Sequence, residues 1–154
     1  MQLHLEGSEN LDLPRERVFR LLTDSSFIAK SLPDAQDAKV IDESNIEAKL
    51  KIKMTFLTTQ MAVKLKLADI VPPGHARLYV EGSGSGSHMK ITSDFDLEGE
   101  TATKMKWAAD AEITGVMAGI GSSIIKGFAE KKVKEVFTGI KNAMVLAGPD
   151  AGHM

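Results

Sequence analysis

Four histidines are the side chains of this chain best suited to proton transfer or metal binding near neutral pH: His4, His75, His88 and His153. They are scattered, and no two of them have the spacing of a zinc site. The chain has no cysteine, which excludes disulfides, thiolate metal ligands and cysteine nucleophiles. No nucleophile elbow is present, and the glycine–serine repeat is not followed by the lysine of a phosphate loop. We therefore expect no catalytic residues, no metal and no cofactor.

Methionine gives the strongest signal for binding. Met54, Met61, Met89, Met105 and Met117 all fall on faces that the hydrophobic pattern predicts to point inward. Flexible, polarisable methionine side chains suit an irregular apolar surface that adapts to a ligand. Ordinary core filling explains any one of them, but the set, together with a run of glycines in the same region, predicts an apolar cavity.

That run is GSGSGSHM, residues 82–89, which resembles a synthetic linker or the remnant of a cleaved tag. Gly82, Gly84 and Gly86 lie two residues apart and continue the inward phase of the preceding strand, so we interpret them as a bent strand in which inward side chains are missing. A flexible linker is the alternative, but it would leave each half with too few strands to close a core. We therefore predict one domain over residues 1–147 and a flexible tail over residues 148–154.

A ligand site follows from the inward positions of the middle strands and the start of the last helix. Aromatic side chains there could stack on a flat ring, and hydroxyls could supply hydrogen bonds. The assignment depends on strand phase, since one bulge would reverse which side chains face inward. The predicted ligand-binding residues are Met54, Met61, Gly82, Gly84, Gly86, Met89, Ser93, Phe95, Met105, Trp107, Met117, Ile120 and Ile124.

The elements that position these residues are read from two periodicities. Apolar and polar residues alternate in seven segments, which predicts an antiparallel sheet with one wet face. Two short helical patterns follow the first strand, the second ending before Pro33. Residues 116–146 change to a helical period and predict one long amphipathic helix, with small residues near its start for close approach to the sheet or a ligand. The predicted fold class is α+β, a curved antiparallel sheet of about seven strands wrapped around a long C-terminal helix.

Charge excludes some partners. The formal net charge is −2, so no basic field attracts nucleic acid, and no run is long and apolar enough to span a membrane. Lysines line the outward side of two strands, which usually means a solvated face, although contact with acidic lipid or an acidic partner is the alternative. These lysines are Lys49, Lys51, Lys53, Lys64 and Lys66.

The order of the elements is similar to the helix-grip arrangement of the START-like (SRPBCC) superfamily. Three stretches sharpen the resemblance: LPRERVFRLLTD…KSLPD, GSGSGSHMKITSDFDL and TKMKWAADAEITGVMAGIGSSIIKG. In this order they resemble the CoxG family of carbon monoxide dehydrogenase. The chain departs from the family pattern at Asp34, where a glycine is usual.

The resemblance implies a protein that binds a hydrophobic small molecule, a quinone or a lipid, without transforming it. It also implies a carbon monoxide dehydrogenase-type molybdenum hydroxylase as partner, and a cytoplasmic location with at most peripheral contact at the inner face of the membrane. One alternative is an assembly or recruitment factor with no ligand. Another is a START-like cyclase or hydrolase, which would need convergent acid–base groups, and the predicted inward set contains no His, Asp or Glu.

Overall fold

The computed structural model of the chain describes residues 1–32, 35–54 and 58–147. Its seven antiparallel strands form one sheet in the order β1-β7-β6-β5-β4-β3-β2, with two short helices after the first strand and a long helix after the last. This arrangement confirms the predicted fold class. The elements are β1 (Gln2–Leu11), α1 (Arg15–Leu22), α2 (Ser25–Ser31), β2 (Ala35–Val40), β3 (Asn45–Lys53), β4 (Thr58–Val71), β5 (His75–Gly84), β6 (Ser87–Glu98), β7 (Thr103–Gly115), a 3₁₀ segment (Val116–Ile120) and α3 (Ser122–Ala147). The predicted tail, with His153, and the departure at Asp34 lie outside the described residues.

The two short helices form for local reasons. Pro14 precedes α1, whose buried side chains include Val18 and Phe19. Asp24 caps α2 by accepting hydrogen bonds from the backbone N–H groups of Ser26 and Phe27, at 2.9 and 3.3 Å. Both helices therefore begin where the sequence provides a start signal, and both pack against the core.

Alternation along the strands separates a buried concave face from an exposed convex face. On β4, Met61 and Val63 are buried while Lys64 and Lys66 are exposed. The convex face carries one row of charges that changes sign from strand to strand, and we call it the charge ladder. Opposite-charge pairs across strands contribute about 0.2–1 kcal/mol each. The charge ladder consists of Glu112, Lys90, Glu81, Lys64, Glu47 and Lys39, each directly opposite the next. The predicted lysine face is thus a face of mixed charge.

The glycine-rich segment lies in β5 and in the turn that joins it to β6. Ser85 and Gly86 have φ angles of 51° and 77°, which is the conformation of a two-residue type I′ hairpin turn. At Gly84, a Cβ atom would collide with the backbone carbonyl of Gln60 on the neighbouring strand. The repeat therefore accommodates a tight turn and a close approach of two backbones.

The prediction of one continuous helix over residues 116–146 is wrong at its start. Residues 116–120 form the 3₁₀ segment, and Gly121 at φ 112° separates it from α3. Because α3 starts at Ser122, a helical period counted from Val116 through the break predicts that Ile124 is buried, one residue before the buried position. Ile125 is buried and Ile124 is 45% exposed.

The small residues near this junction were expected to permit close approach. The structure shows no close approach to the sheet, because a Cβ atom at Gly119, Gly121 or Gly127 would meet no atom of another element within 4 Å. These glycines face open space. Gly121 adopts the positive φ angle that separates the 3₁₀ segment from α3.

Candidate ligand-binding cavity

An apolar cavity of about 300 Å³ lies between the concave face of the sheet and the first half of α3. Strands β1, β3, β5, β6 and β7 form its floor and walls, and the 3₁₀ segment and α3 close it. The lining residues are Leu3, Leu5, Leu50, Lys51, Ile52, Val80, Met89, Ile91, Ser93, Ala109, Ala111, Ile113, Met117, Ile125, Phe128, Ala129, Lys132, Val133 and Val136.

The floor of the cavity is low because β7 carries two alanines there. Ala109 lies between Leu5 of β1 and Ser93 of β6 in the sheet register. Ala111 occupies the next inward position of the same strand. Small side chains on β7, the second strand from the β1 edge, leave space beneath a helix that packs on the larger residues of the flanking strands. Both alanines share the inward strand phase of Trp107 in the sequence, but neither is among the predicted ligand-binding residues.

Three polar residues belong to the lining. Ser93 offers a hydroxyl from β6 and Lys132 comes from α3, whereas Lys51 lies on the outward phase of β3 between the inward residues Leu50 and Ile52. The ammonium of Lys132 donates to Glu135 at 3.0 Å and lies 5.6 Å from the centre of the Phe128 ring. The described lining contains no imidazole and no carboxylate. The cavity therefore suits an apolar ligand, to which it offers only a few hydrogen-bond donors.

Three of the predicted site residues line the cavity: Met89, Ser93 and Met117. Met117 is held by its backbone N–H, which donates to the Oγ of Ser87 at 2.9 Å in a buried position. This hydrogen bond ties the 3₁₀ segment to the start of β6, and so fixes one end of the cavity.

The space above Gly82 is occupied by protein side chains. A Cβ atom at Gly82 would lie 3.0 Å from Cγ1 of Val63, 3.1 Å from Cε of Met89 and 3.6 Å from Cε of Met61. The missing side chain was expected to leave room for a ligand, whereas the structure fills that room with methionine and valine. Met105 is 1% exposed and, like Met61, belongs to the core.

Trp107 and Phe95, the predicted aromatic site residues, pack against the core. Trp107 packs over Gly7, where a Cβ atom would come within 2.9 Å of the indole ring. Its ring also contacts that of Phe137 in α3, with a centroid separation of 5.4 Å. None of the remaining predicted residues is in the cavity lining. They are Met54, Phe95 and Ile120, which pack against the core, Gly84 and Gly86 in the hairpin, and exposed Ile124.

The described histidines lie on the convex face, away from the cavity. His4 contacts Glu6 at 2.9 Å through Nε2 and Asp110 at 2.7 Å through Nδ1. The hydrogen bond to Glu6, followed by that to Asp110, raises the pKa of His4 above its ordinary value. His75 and His88 also pair with carboxylates. Within residues 1–32, 35–54 and 58–147, no cluster of histidine and acidic side chains could hold a metal ion.

The sheet, the long helix and the cavity between them define a helix-grip protein with a START-like fold. A conserved protein from Geobacillus kaustophilus is similar to this chain, with 26% identity, a TM-score of 0.84, and coverage of 94% of this chain and 97% of that one. A START superfamily protein from Mycobacterium smegmatis has a TM-score of 0.72 at 9% identity, covering 94% and 98% of the two chains. The Zhui aromatase/cyclase from Streptomyces sp. R1128 has a TM-score of 0.68 at 11% identity, covering 99% of each.

The chain belongs to the CoxG family of carbon monoxide dehydrogenase, whose sequence pattern matches residues 7–145. No curated protein matches the sequence significantly. Among the described residues, no helix combines the length and the apolar character needed to cross a membrane.

Proposed function

We propose that this protein binds a hydrophobic small molecule, a quinone or a lipid-like molecule, in the cavity under α3 and carries it without chemical change. The observation that supports this most strongly is the apolar cavity of about 300 Å³. Ligand pockets in proteins are mostly apolar, contain a few placed polar groups and start at about this size. Membership of the CoxG family and the START-like fold point in the same direction.

The lining suits a flat ring that carries carbonyl groups. Phe128 offers an aromatic face, and Ser93 offers a hydroxyl that can donate to a carbonyl oxygen. Leu50, Ile52 and Lys132 line the cavity and are only half-buried, so the cavity reaches the surface between β3 and α3. A ring could therefore lie inside while a longer tail extends outward through this opening.

A first experiment identifies the ligand. The protein is purified from its own host without detergent, and native mass spectrometry is combined with organic extraction. A quinone or lipid at near-stoichiometric amount supports the carrier function. A mass without ligand, and no mass shift on adding menaquinone, would refute it and favour the assembly or recruitment factor.

A second experiment places the ligand. Ala111→Phe fills the floor of the cavity, whereas Ala108→Phe adds the same ring to the same strand on the convex face. Menaquinone binding should weaken about ten-fold or more in the first variant and stay unchanged in the second, since a ring in the cavity competes directly with the ligand. Equal binding by both variants would place the ligand elsewhere.

The proposed partner is a carbon monoxide dehydrogenase-type molybdenum hydroxylase, and the support for it is the family alone. We propose that the two proteins meet in the cytoplasm or at the inner face of the membrane. Co-purification of the tagged protein with the hydroxylase of its host, and its fractionation between cytosol and membrane, test both points. Recovery of the protein without any hydroxylase would contradict the proposed partnership but not the proposed binding of a ligand in the cavity.

A further inference from the structure

Strand β1 presents an unpaired edge of the sheet. Met1 and Ile113 exchange both backbone hydrogen bonds, at 3.0 and 2.8 Å. Because bonded and non-bonded pairs alternate in an antiparallel ladder, every second residue of β1 directs its N–H and C=O groups away from β7. These residues are Gln2, His4, Glu6, Ser8 and Asn10.

The two edges of the sheet differ in how they are protected. β2 is 6 residues long, its pairing with β3 shifts register after Gln36, and Asp37 has a φ of 52°. Short and irregular edge strands resist the addition of another strand. β1 is 10 residues long and pairs with β7 without any shift, so its edge can accept one.

A groove of about 460 Å³ runs along this edge. One side is residues 4–9 of β1, the floor includes Trp107, and the other side is α3. On α3, Lys126, Glu130 and Lys134 form a ridge of exposed side chains four residues apart. None of the three makes an ion pair with a described residue.

The spacing of this ridge matches that of an added strand. Residues four apart on a helix are about 6 Å apart along its axis. Alternate residues of a strand, which share one face, are about 6.6 Å apart. An extended segment paired with β1 would therefore place successive side chains of one face close to successive members of the ridge, with charges of the opposite sign.

We propose that β1 and α3 together bind an extended segment of a partner protein, which adds to the sheet as an eighth strand beside β1. The side chains of this segment that face α3 are acidic, basic and acidic at alternate positions, opposite Lys126, Glu130 and Lys134. Backbone hydrogen bonds to β1 supply affinity and the ridge supplies selectivity, as in other cases of strand addition to a sheet edge. The groove adjoins the apolar cavity, since Leu5 and Val133 belong to both linings. Lys126, Glu130 and Lys134 line the groove and not the cavity, so this interaction does not require the small-molecule ligand.

The test uses a blocked seven-residue peptide with glutamate, lysine and glutamate at its second, fourth and sixth positions and threonine or valine elsewhere. Isothermal titration and backbone amide exchange follow its binding to the full chain. Binding should slow exchange at the outward-facing amides of His4, Glu6 and Ser8. No binding at millimolar peptide would overturn the proposal.

Two substitutions at one position isolate the backbone contribution. Ser8→Pro removes an N–H that faces the free edge but no hydrogen bond to β7. Ser8→Ala keeps that N–H. Peptide binding should fall about ten-fold in the proline variant and stay unchanged in the alanine variant. Equal binding by both folded variants would overturn the proposal.

Charge exchange provides a second, independent test, and it decides the matter should Ser8→Pro not fold. The triple variant Lys126→Glu, Glu130→Lys, Lys134→Glu should reject the original peptide by about ten-fold and prefer a peptide with lysine, glutamate and lysine at the same positions. An unchanged preference would contradict the ridge. A dimer in sedimentation experiments that Ser8→Pro abolishes would show that a second copy of this chain occupies the edge, which also overturns the proposal.

Discussion

Replacing Gly82 by alanine should push Met89 into the apolar cavity. The new Cβ atom would lie 3.0 Å from Cγ1 of Val63 and 3.1 Å from Cε of Met89, against ordinary carbon contacts of about 3.5–4.0 Å. Val63 is 1% exposed and β-branched, so it has little freedom to retreat. The flexible Met89 side chain must move instead, and the cavity that it lines lies beside it.

The expected cost follows from this overlap. Overpacking a well-packed region lowers the free energy of unfolding by about 1–3 kcal/mol, and we expect the lower half of that range because Met89 is flexible. Menaquinone binding should weaken as the displaced methyl group enters the cavity. Urea denaturation and ligand titration measure the two effects, and Ser83→Ala, on the opposite face of the same strand, serves as the control.

A double variant makes the reasoning falsifiable. If Met89 absorbs the overlap, combining Gly82→Ala with Met89→Ala should destabilise the protein by about 1 kcal/mol less than the sum of the single variants. Strict additivity, or a Gly82→Ala variant as stable as the wild type with unchanged binding, would refute the role assigned to Met89.

Three further predictions concern the 3₁₀–α3 junction and the exposed edge. Gly127→Ala should raise the free energy of unfolding by about 1 kcal/mol, because this helical position is exposed and unobstructed. Gly121→Ala should lower the free energy of unfolding, because φ is 112° there. Thermal melts in which Gly121→Ala is as stable as Gly127→Ala would contradict the break in the helix at Gly121. Ser87→Ala should cost about 1–3 kcal/mol and increase amide exchange at Met117, since a buried N–H loses its acceptor; unchanged exchange would show that another group accepts this bond. His4 should titrate above its ordinary pKa in NMR spectra, so its small stabilising contribution is complete below about pH 6.5 and disappears as pH rises through the raised pKa; a titration at or below the ordinary value would contradict the pairing with two carboxylates.

The sheet could be predicted from sequence because burial of one face imposes a period of two. In β4, each inward residue from Met61 to Leu67 is apolar and each residue between them is exposed or polar. The helix pattern was less informative at its start. A glycine inside a helical period is compatible with either a continuous helix or a break, and only the φ angle of Gly121 distinguishes them.

The apolar cavity was harder to predict than the faces that form it. Trp107 and Ala109 share one strand phase, yet Trp107 packs under the second half of α3 while Ala109 lines the cavity. Phase gives the face of a residue but not its position relative to a helix that crosses the sheet. Met61 and Met105 illustrate the same limit, because inward-facing methionines fill the core as readily as they line a cavity.

The charge ladder also affects the electrostatic potential that a molecule meets as it approaches the convex face from solution. Its charges change sign at each strand spacing of roughly 4.8 Å, so the pattern repeats about every 9.6 Å. The potential of such an alternating array cancels within a few ångströms of the surface, well inside the Debye length of about 8 Å at physiological ionic strength. Beyond that distance the row contributes almost no electrostatic potential, although it spans six strands. Long-range steering must then come from charges outside the row, and reversing one member, such as Glu81, would give this neutral row a net charge.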